Sequence, residues 1–272
     1  RLFPRLAGHR VMTIIRAAIF QSDARDETPA VRLDRLETVL RDADGAFDLL
    51  LCPELYLSGY DVGSKIHDFA EPANGPTLAR VAELATRYET SLAIGYPELH
   101  DDTLYNAVAV VGKSGERLLD YRKRFLPPGF ESDTFTPGGE PGIFEFMGQR
   151  IAALICYDVE IPELVREAAM AGATIILAPT ALRAQWTFVA RKMIPTRAFE
   201  NGVFLLYANH AGSEGASVYL GESVIVAPDG RELALAGGGE EVISASLDMA
   251  DIARARDVLP YLEVAAKCGR AA

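Results

Sequence analysis

Cysteine is scarce: only Cys52, Cys156 and Cys268 occur among 272 residues. None of the three forms a C-x-x-C pair, which argues against both a disulfide framework and a thiolate zinc site. No apolar run approaches the roughly 20 residues that a bilayer span requires. Arg1 to Val11 also lacks the apolar stretch of a secretory signal. A cytoplasmic protein without a membrane partner is therefore expected. Positive charge is outnumbered, with a net charge of -11 spread along the chain. No basic stripe interleaves with aromatics, so nucleic acid is not an expected partner.

What is present is a large apolar fraction, 49% of residues against 24% charged, enough to bury one large core. Strand-like sequence begins at Thr13, just after Met12. Residues 1–11 are therefore read as an N-terminal extension, and 12–272 as a single domain. Runs rich in β-branched and aliphatic residues recur at Thr13–Gln21, Phe47–Cys52, Ser91–Tyr96, Tyr105–Val111, Arg150–Ile155, Ala173–Ala178, Val203–Ala208, Ser223–Ala227 and Glu241–Leu247. Helical spacing is clearest at Thr28–Asp44, Thr77–Tyr88, Pro162–Ala171 and Thr187–Glu200. Alternating strands and helices place the chain in the α/β class. Hairpin turns at Gly112-Lys113-Ser114-Gly115 and Pro228-Asp229-Gly230 predict mixed rather than purely parallel sheets. The longest irregular stretch, Arg124 to Gly142, is of the length usually reserved for function.

Three positions carry reactive chemistry where strands give out. Cys156 follows the apolar run Arg150–Ile155 and precedes Pro162, which suits the first turn of a helix. A strand-to-helix turn exposes a side chain at the carboxyl edge of a sheet, and helix amides there favour thiolate over thiol. Taken alone, such a cysteine is more commonly buried filler. Glu54 ends the run Leu49-Leu50-Leu51-Cys52-Pro53 on the same edge. Burial would raise its pKa towards neutrality, as a base for a thiol requires, although a capping or solvated carboxylate is the plainer reading. Lys123, in Tyr121-Arg122-Lys123-Arg124, could stabilise an oxyanion, although basic clusters are usually solvated surface.

Taken together, these positions resemble the nitrilase superfamily, the carbon–nitrogen hydrolases, whose signature is a Glu-Lys-Cys triad. Pro53-Glu54 with Gly59-Tyr60, Tyr121-Arg122-Lys123, and Cys156-Tyr157-Asp158 with Pro162-Glu163 look like its three segments, in order. Arg197-Ala198-Phe199-Glu200-Asn201, Ala208-Asn209 and Gly221 to Gly230 look like the structural segments that follow. The resemblance implies that Glu131 is a second glutamate beside Lys123, as in the amidase branch. It also implies a four-layer α-β-β-α sandwich with two mixed β-sheets, assembling as a homodimer or larger homo-oligomer. Ile161 departs from the pattern, since an aromatic is commoner there. The implied reaction is hydrolysis of a small carboxamide through a thioester on Cys156, releasing ammonia and a carboxylate. It needs no metal, nucleotide or flavin.

Tyr60, Tyr157, Thr180, Ala181 and Trp186 follow strand ends or the cysteine and are the expected substrate-binding residues. An N-carbamoyl amide hydrolase and a true nitrilase are alternatives within the superfamily. A catalytically silent α/β binding module is the alternative outside it. Other signals fail. Gly112-Lys113-Ser114 would need a glycine at 107 to form a phosphate loop, and Ala107 stands there. His210 follows a strand and could serve a Cys-His dyad, but with a Glu-Lys pair available it is read as structural.

Overall fold

Side chains of the first strand, β1 (Ile14–Gln21), alternate between two cores: Ile15, Ala17 and Ile19 face one, Ala18 and Phe20 the other. That period of two makes β1 an interior strand with both faces covered. The computed structural model describes residues 13–268. The expected extension, residues 1–11, lies outside the described residues. In chain order the principal strands continue as β2 (Leu49–Leu51), β3 (Ser91–His100), β4 (Thr103–Val111), β5 (Arg117–Arg122), β6 (Gly142–Phe146), β7 (Gln149–Ala153), β8 (Ile175–Pro179), β9 (Phe204–Ala208), β10 (Val224–Val226), β11 (Glu232–Leu235) and β12 (Glu241–Asp248).

They form two six-stranded sheets, ordered β12-β1-β2-β3-β4-β5 and β11-β10-β9-β8-β7-β6. In each, three parallel strands lie in the middle, β1-β2-β3 and β7-β8-β9, with antiparallel strands outside. The inner faces meet in one core, where Leu49, Leu51, Val108 and Val110 join Ile151, Ile175, Leu205 and Ile225. Outside the first sheet pack α1 (Pro29–Ala43) and α2 (Pro76–Arg87), through Leu33, Leu36, Leu40, Leu78, Val81 and Leu84. Outside the second pack α3 (Pro162–Met170) and α4 (Ile194–Asn201), through Leu164, Val165, Ala168 and Ala198. The layers run α-β-β-α, as expected.

Local chemistry sets the helix starts. Pro29, Pro76 and Pro162 occupy first-turn positions, where a missing N–H costs nothing. Thr28 caps α1. The Glu71 carboxylate accepts from the amides of Thr77 and Leu78 at 3.1 and 2.9 Å and so caps α2.

The expected helix Thr187–Glu200 is not continuous. A π-turn spans Val189–Met193, and Ile194 N donates to Val189 O, five residues back. Pro195 lacks an N–H and its ring crowds the carbonyl four residues before, so the wider turn accommodates it. The stretch from Arg124 to Gly142 is irregular as expected, except for a single turn of helix at Phe130–Thr134. Strand β6 and two C-terminal helices, Ala250–Val258 and Tyr261–Cys268, were not anticipated. Among the described residues no helix is long and apolar enough to cross a membrane.

Candidate active site

Carboxyl ends of the two parallel trios point to one place, the position where open α/β sheets bind ligands. Backbone pairing carries the chain to each reactive residue and then releases it. Past β2, Cys52 N still donates to Ala93 O at 2.9 Å, and Glu54 lies two residues on. Gly95 in β3 makes this possible. A methyl there would collide with the backbone of Pro53, Glu54 and Leu55. The second sheet fixes the same peptide: Glu54 N donates to Thr180 O at 3.4 Å, and His210 Nε2 lies 2.8 Å from Glu54 O.

Lys123 immediately follows β5. Its N–H donates to Asn106 O at 2.8 Å, and its carbonyl accepts from Gly138 N at 2.7 Å. Cys156 follows β7, with Cys156 N donating to Pro179 O at 2.9 Å. There the chain turns sharply, at φ 46° and ψ -104°, into the short helix Tyr157–Glu160. A β-carbon rarely adopts that backbone region, and such strain concentrates at functional positions.

Lys123 is fully buried, and its Nζ stands 2.7 Å from Glu54 Oε1 and 2.7 Å from Glu131 Oε1. Asn106 Nδ2 donates to the same two carboxylates, to Glu54 Oε1 at 2.8 Å and Glu131 Oε2 at 3.2 Å. The Tyr60 hydroxyl donates to Glu131 Oε1 at 2.7 Å. Glu131 arrives on the single helical turn inside the long loop. The start of that loop is tied to the cysteine turn by Asp158, whose carboxylate accepts from Phe125 N at 2.9 Å, Tyr121 OH at 2.8 Å and Ile155 N at 3.2 Å.

Burial dominates the electrostatics. It pushes the Glu54 carboxyl up to about 7 against the pull of Lys123, and the nearby Glu131 charge adds to the rise. Burial alone would lower Lys123, but Glu54, Cys156 and Glu131 outweigh it and hold the amine above its ordinary range, firmly charged. The Cys156 thiol is raised well above the ordinary value by burial and by the Glu54 charge, with Lys123 opposing. The expected pull of the helix amides towards a thiolate is therefore opposed by burial and by the Glu54 charge.

A cavity of about 540 Å³ opens beside these groups, lined by Cys156 and Glu131 together with Tyr60, Tyr157, Ala181 and Trp186. Thr180 is fully buried, is not among the residues lining the cavity, and places its Oγ1 3.2 Å from the Tyr207 hydroxyl. Its carbonyl holds Glu54 N instead. His210 is buried, with its pKa lowered to about 3 by desolvation, and it contacts the Glu54 backbone. It is a neutral scaffold residue.

Asn106 was missed by sequence reasoning, as were Glu160, Leu182, Arg183 and Val189, which also line the cavity. The signal for Asn106 was a lone amide in the otherwise apolar run Tyr105–Val111, since a buried polar side chain needs partners. Among the described residues no group of three or more His, Cys, Asp or Glu side chains is arranged to hold a metal ion.

The carbon–nitrogen hydrolase family model matches residues 16–257. A Pseudomonas protegens protein described as a hydrolase in the pqqF 5' region is 40% identical over 251 residues, covering 91% of this chain and 88% of that protein. An (R)-stereoselective amidase of a Pseudomonas species is 33% identical over 246 residues, covering 90% and 89%. Among solved structures, a mutant amidase of Nesterenkonia sp. AN1 superposes with a TM-score of 0.82 at 32% identity, covering 92% of this chain and 93% of that one. It shows covalent addition of the acetamide moiety of fluoroacetamide at the active-site cysteine. With the match running over most of its length, this chain belongs to the carbon–nitrogen hydrolase family.

Proposed function

We propose that the protein is an amidase. It hydrolyses a small carboxamide to a carboxylate and ammonia, with Cys156 as nucleophile, Glu54 as acid and base, Lys123 as oxyanion donor and Glu131 as the carboxylate that holds Lys123. One observation carries the reading: a buried ammonium shared by two carboxylates at 2.7 Å each, beside a cavity that a half-buried thiol lines. The adduct on the Nesterenkonia amidase's cysteine and the amidase relatives support it.

Glu54 Oε1 is occupied by Lys123 and Asn106, whereas Oε2, equally buried, has no partner among the described residues. Oε2 is the oxygen assigned to take the Cys156 proton. At a pKa of about 7 Glu54 is poised both to accept that proton and to return it. Sulfur attacks the amide carbon, and the carbonyl oxygen becomes an oxyanion.

Lys123 carries three N–H donors, two of which are committed to Glu54 and Glu131. The third is assigned to the oxyanion, with the Tyr157 amide as its second donor. Protonated Glu54 passes its proton to the nitrogen, ammonia leaves, and a thioester remains on Cys156. Water, deprotonated by Glu54, attacks the thioester to give the carboxylate and the free thiol.

Purified protein incubated with acetamide, propanamide and butanamide should release ammonia. Stoichiometric iodoacetamide labelling at Cys156 should abolish the release. Turnover by Cys156→Ala comparable to the parent's would overturn the scheme.

The three free thiols suit a reducing cytoplasm. Phe199, Val258, Tyr261 and Val264 expose apolar surface on the helices outside the second sheet, which supports self-association through that face.

A further inference from the structure

The substrate cavity contains a carboxylate that the proposed chemistry does not use. Glu160 lines the cavity at the end of the helix that starts just after Cys156. Its charge acts on the thiol. The carboxylate makes no hydrogen bond or ion pair with any described residue. Arg197, which neighbours it, donates to the Glu160 backbone carbonyl at 2.8 Å and gives its other arm to Glu200 at 3.0 Å. Burial raises the Glu160 pKa, and the charges of Lys123 and Arg197 pull it back.

A half-buried carboxylate without a protein partner is left open to a cationic group that enters the cavity. Of the protein cations nearby, Lys123 is held by Glu54 and Glu131 and Arg197 by Glu200, while Arg183 lines the cavity as a solvent-exposed side chain that is not paired with Glu160. Tyr60, Phe130 and Trp186 line the same space, and aromatic rings can accept ammonium groups over their faces.

We infer that Glu160 is a specificity residue that pairs with an ammonium group on the substrate, so that the preferred carboxamides carry an amine close to the amide carbon. This rests on the amidase reading above and narrows its substrate class. The placement requires closeness. Glu160 is one turn of chain from the nucleophile, so the cation it meets must lie within a few bonds of the carbon under attack. An anionic substituent in the cavity would instead meet the Glu160 carboxylate. The excess negative charge of the whole chain, -11, favours the approach of a cation in the same sense.

The test uses three amides of one chain length at about pH 7, where an α-amine is largely protonated: butanamide, 2-aminobutanamide and succinamate. For the intact protein, kcat/KM for the amino amide should exceed that for butanamide by at least about 10-fold, the worth of one charge-assisted hydrogen bond. Succinamate should be the poorest. The preference should collapse towards unity in Glu160→Gln and survive in Glu160→Asp, which keeps the charge.

Trp186 is the chain's single tryptophan and lines the cavity, so its fluorescence in Cys156→Ala reports binding without turnover. The same ranking should appear in Kd. Equal affinity for butanamide and 2-aminobutanamide, or a preference unaltered by Glu160→Gln, would overturn the assignment. If the intact protein hydrolyses none of the three, the amidase reading falls, while the fluorescence titration still decides for or against the ammonium preference.

Discussion

Lys123 Nζ and Glu54 Oε1 stand 2.7 Å apart, and neither side chain has any solvent exposure. Breaking such a pair from one side is costly, because the partner is left charged without water. Lys123→Met should therefore lower stability by about 3–5 kcal/mol and kcat by about 10²–10³, the usual worth of one oxyanion donor. The stability loss should shrink as pH falls through about 7, since Glu54 can then take up a proton. Thermal melts between pH 5 and 8 read this directly, and a loss that does not vary with pH would count against the buried pairing.

The pH profile follows from Glu54. A base must be deprotonated to act, so kcat/KM should fall on the acid side with an apparent pKa of about 7. The Cys156 thiol, raised by burial, adds no break of its own near neutrality. Asn106 donates to ionised Glu54 and holds its pKa down. Asn106→Leu should therefore move the acid limb to higher pH, by on the order of one unit for one hydrogen bond. An unmoved limb would place the titration elsewhere.

The architecture was largely legible because its determinants are local. Alternation in Ile15–Phe20 and helical spacing in Leu33–Leu40 both declare which face is buried. Glu54, Lys123 and Cys156 each follow a strand, but taken singly each had a plainer reading; only their order along the chain, in its resemblance to the nitrilase superfamily, singled them out. Asn106 was not legible, since its role depends on two carboxylates 52 and 25 residues away. The placement of Thr180 was not legible for a related reason. A residue just past a strand can point to the cavity or into the core, and only packing against Tyr207 decides. The opposition of burial to a thiolate at Cys156 was not legible, because desolvation is a property of the assembled site.

His210 bears on stability rather than on proton transfer. Its pKa is lowered from 6.5 to about 3 by burial, so the folded state resists a proton that the unfolded chain accepts. The stability this confers is complete above about pH 6.5 and is lost as pH falls towards 3. His210→Gln should flatten that acid loss in thermal melts. It should leave iodoacetamide labelling of Cys156 intact, whereas a Cys-His dyad would lose reactivity.

Gly59 tests how the Tyr60 segment is held. Glu214 and Arg32 are paired at 2.9 Å, both buried, and the Glu214 carboxylate also accepts from the amides of Tyr60 and Asp61 at 2.7 and 2.8 Å. That anchor sets where the Tyr60 hydroxyl meets Glu131. Gly59 lies against it with φ +85°, and a methyl group there would overlap both the Glu214 carboxylate and the Arg32 guanidinium. Gly59→Ala therefore combines left-handed backbone strain with overpacking of an ion pair, a destabilisation of about 1–3 kcal/mol. If Tyr60 fixes Glu131 and through it Lys123, kcat should fall as well, even at temperatures where the variant is fully folded. Tyr60→Phe, which removes only the hydroxyl, should reproduce part of the kcat loss with much less of the stability loss. A Gly59→Ala protein that melts early yet keeps full kcat when folded would show that the anchor serves the fold alone.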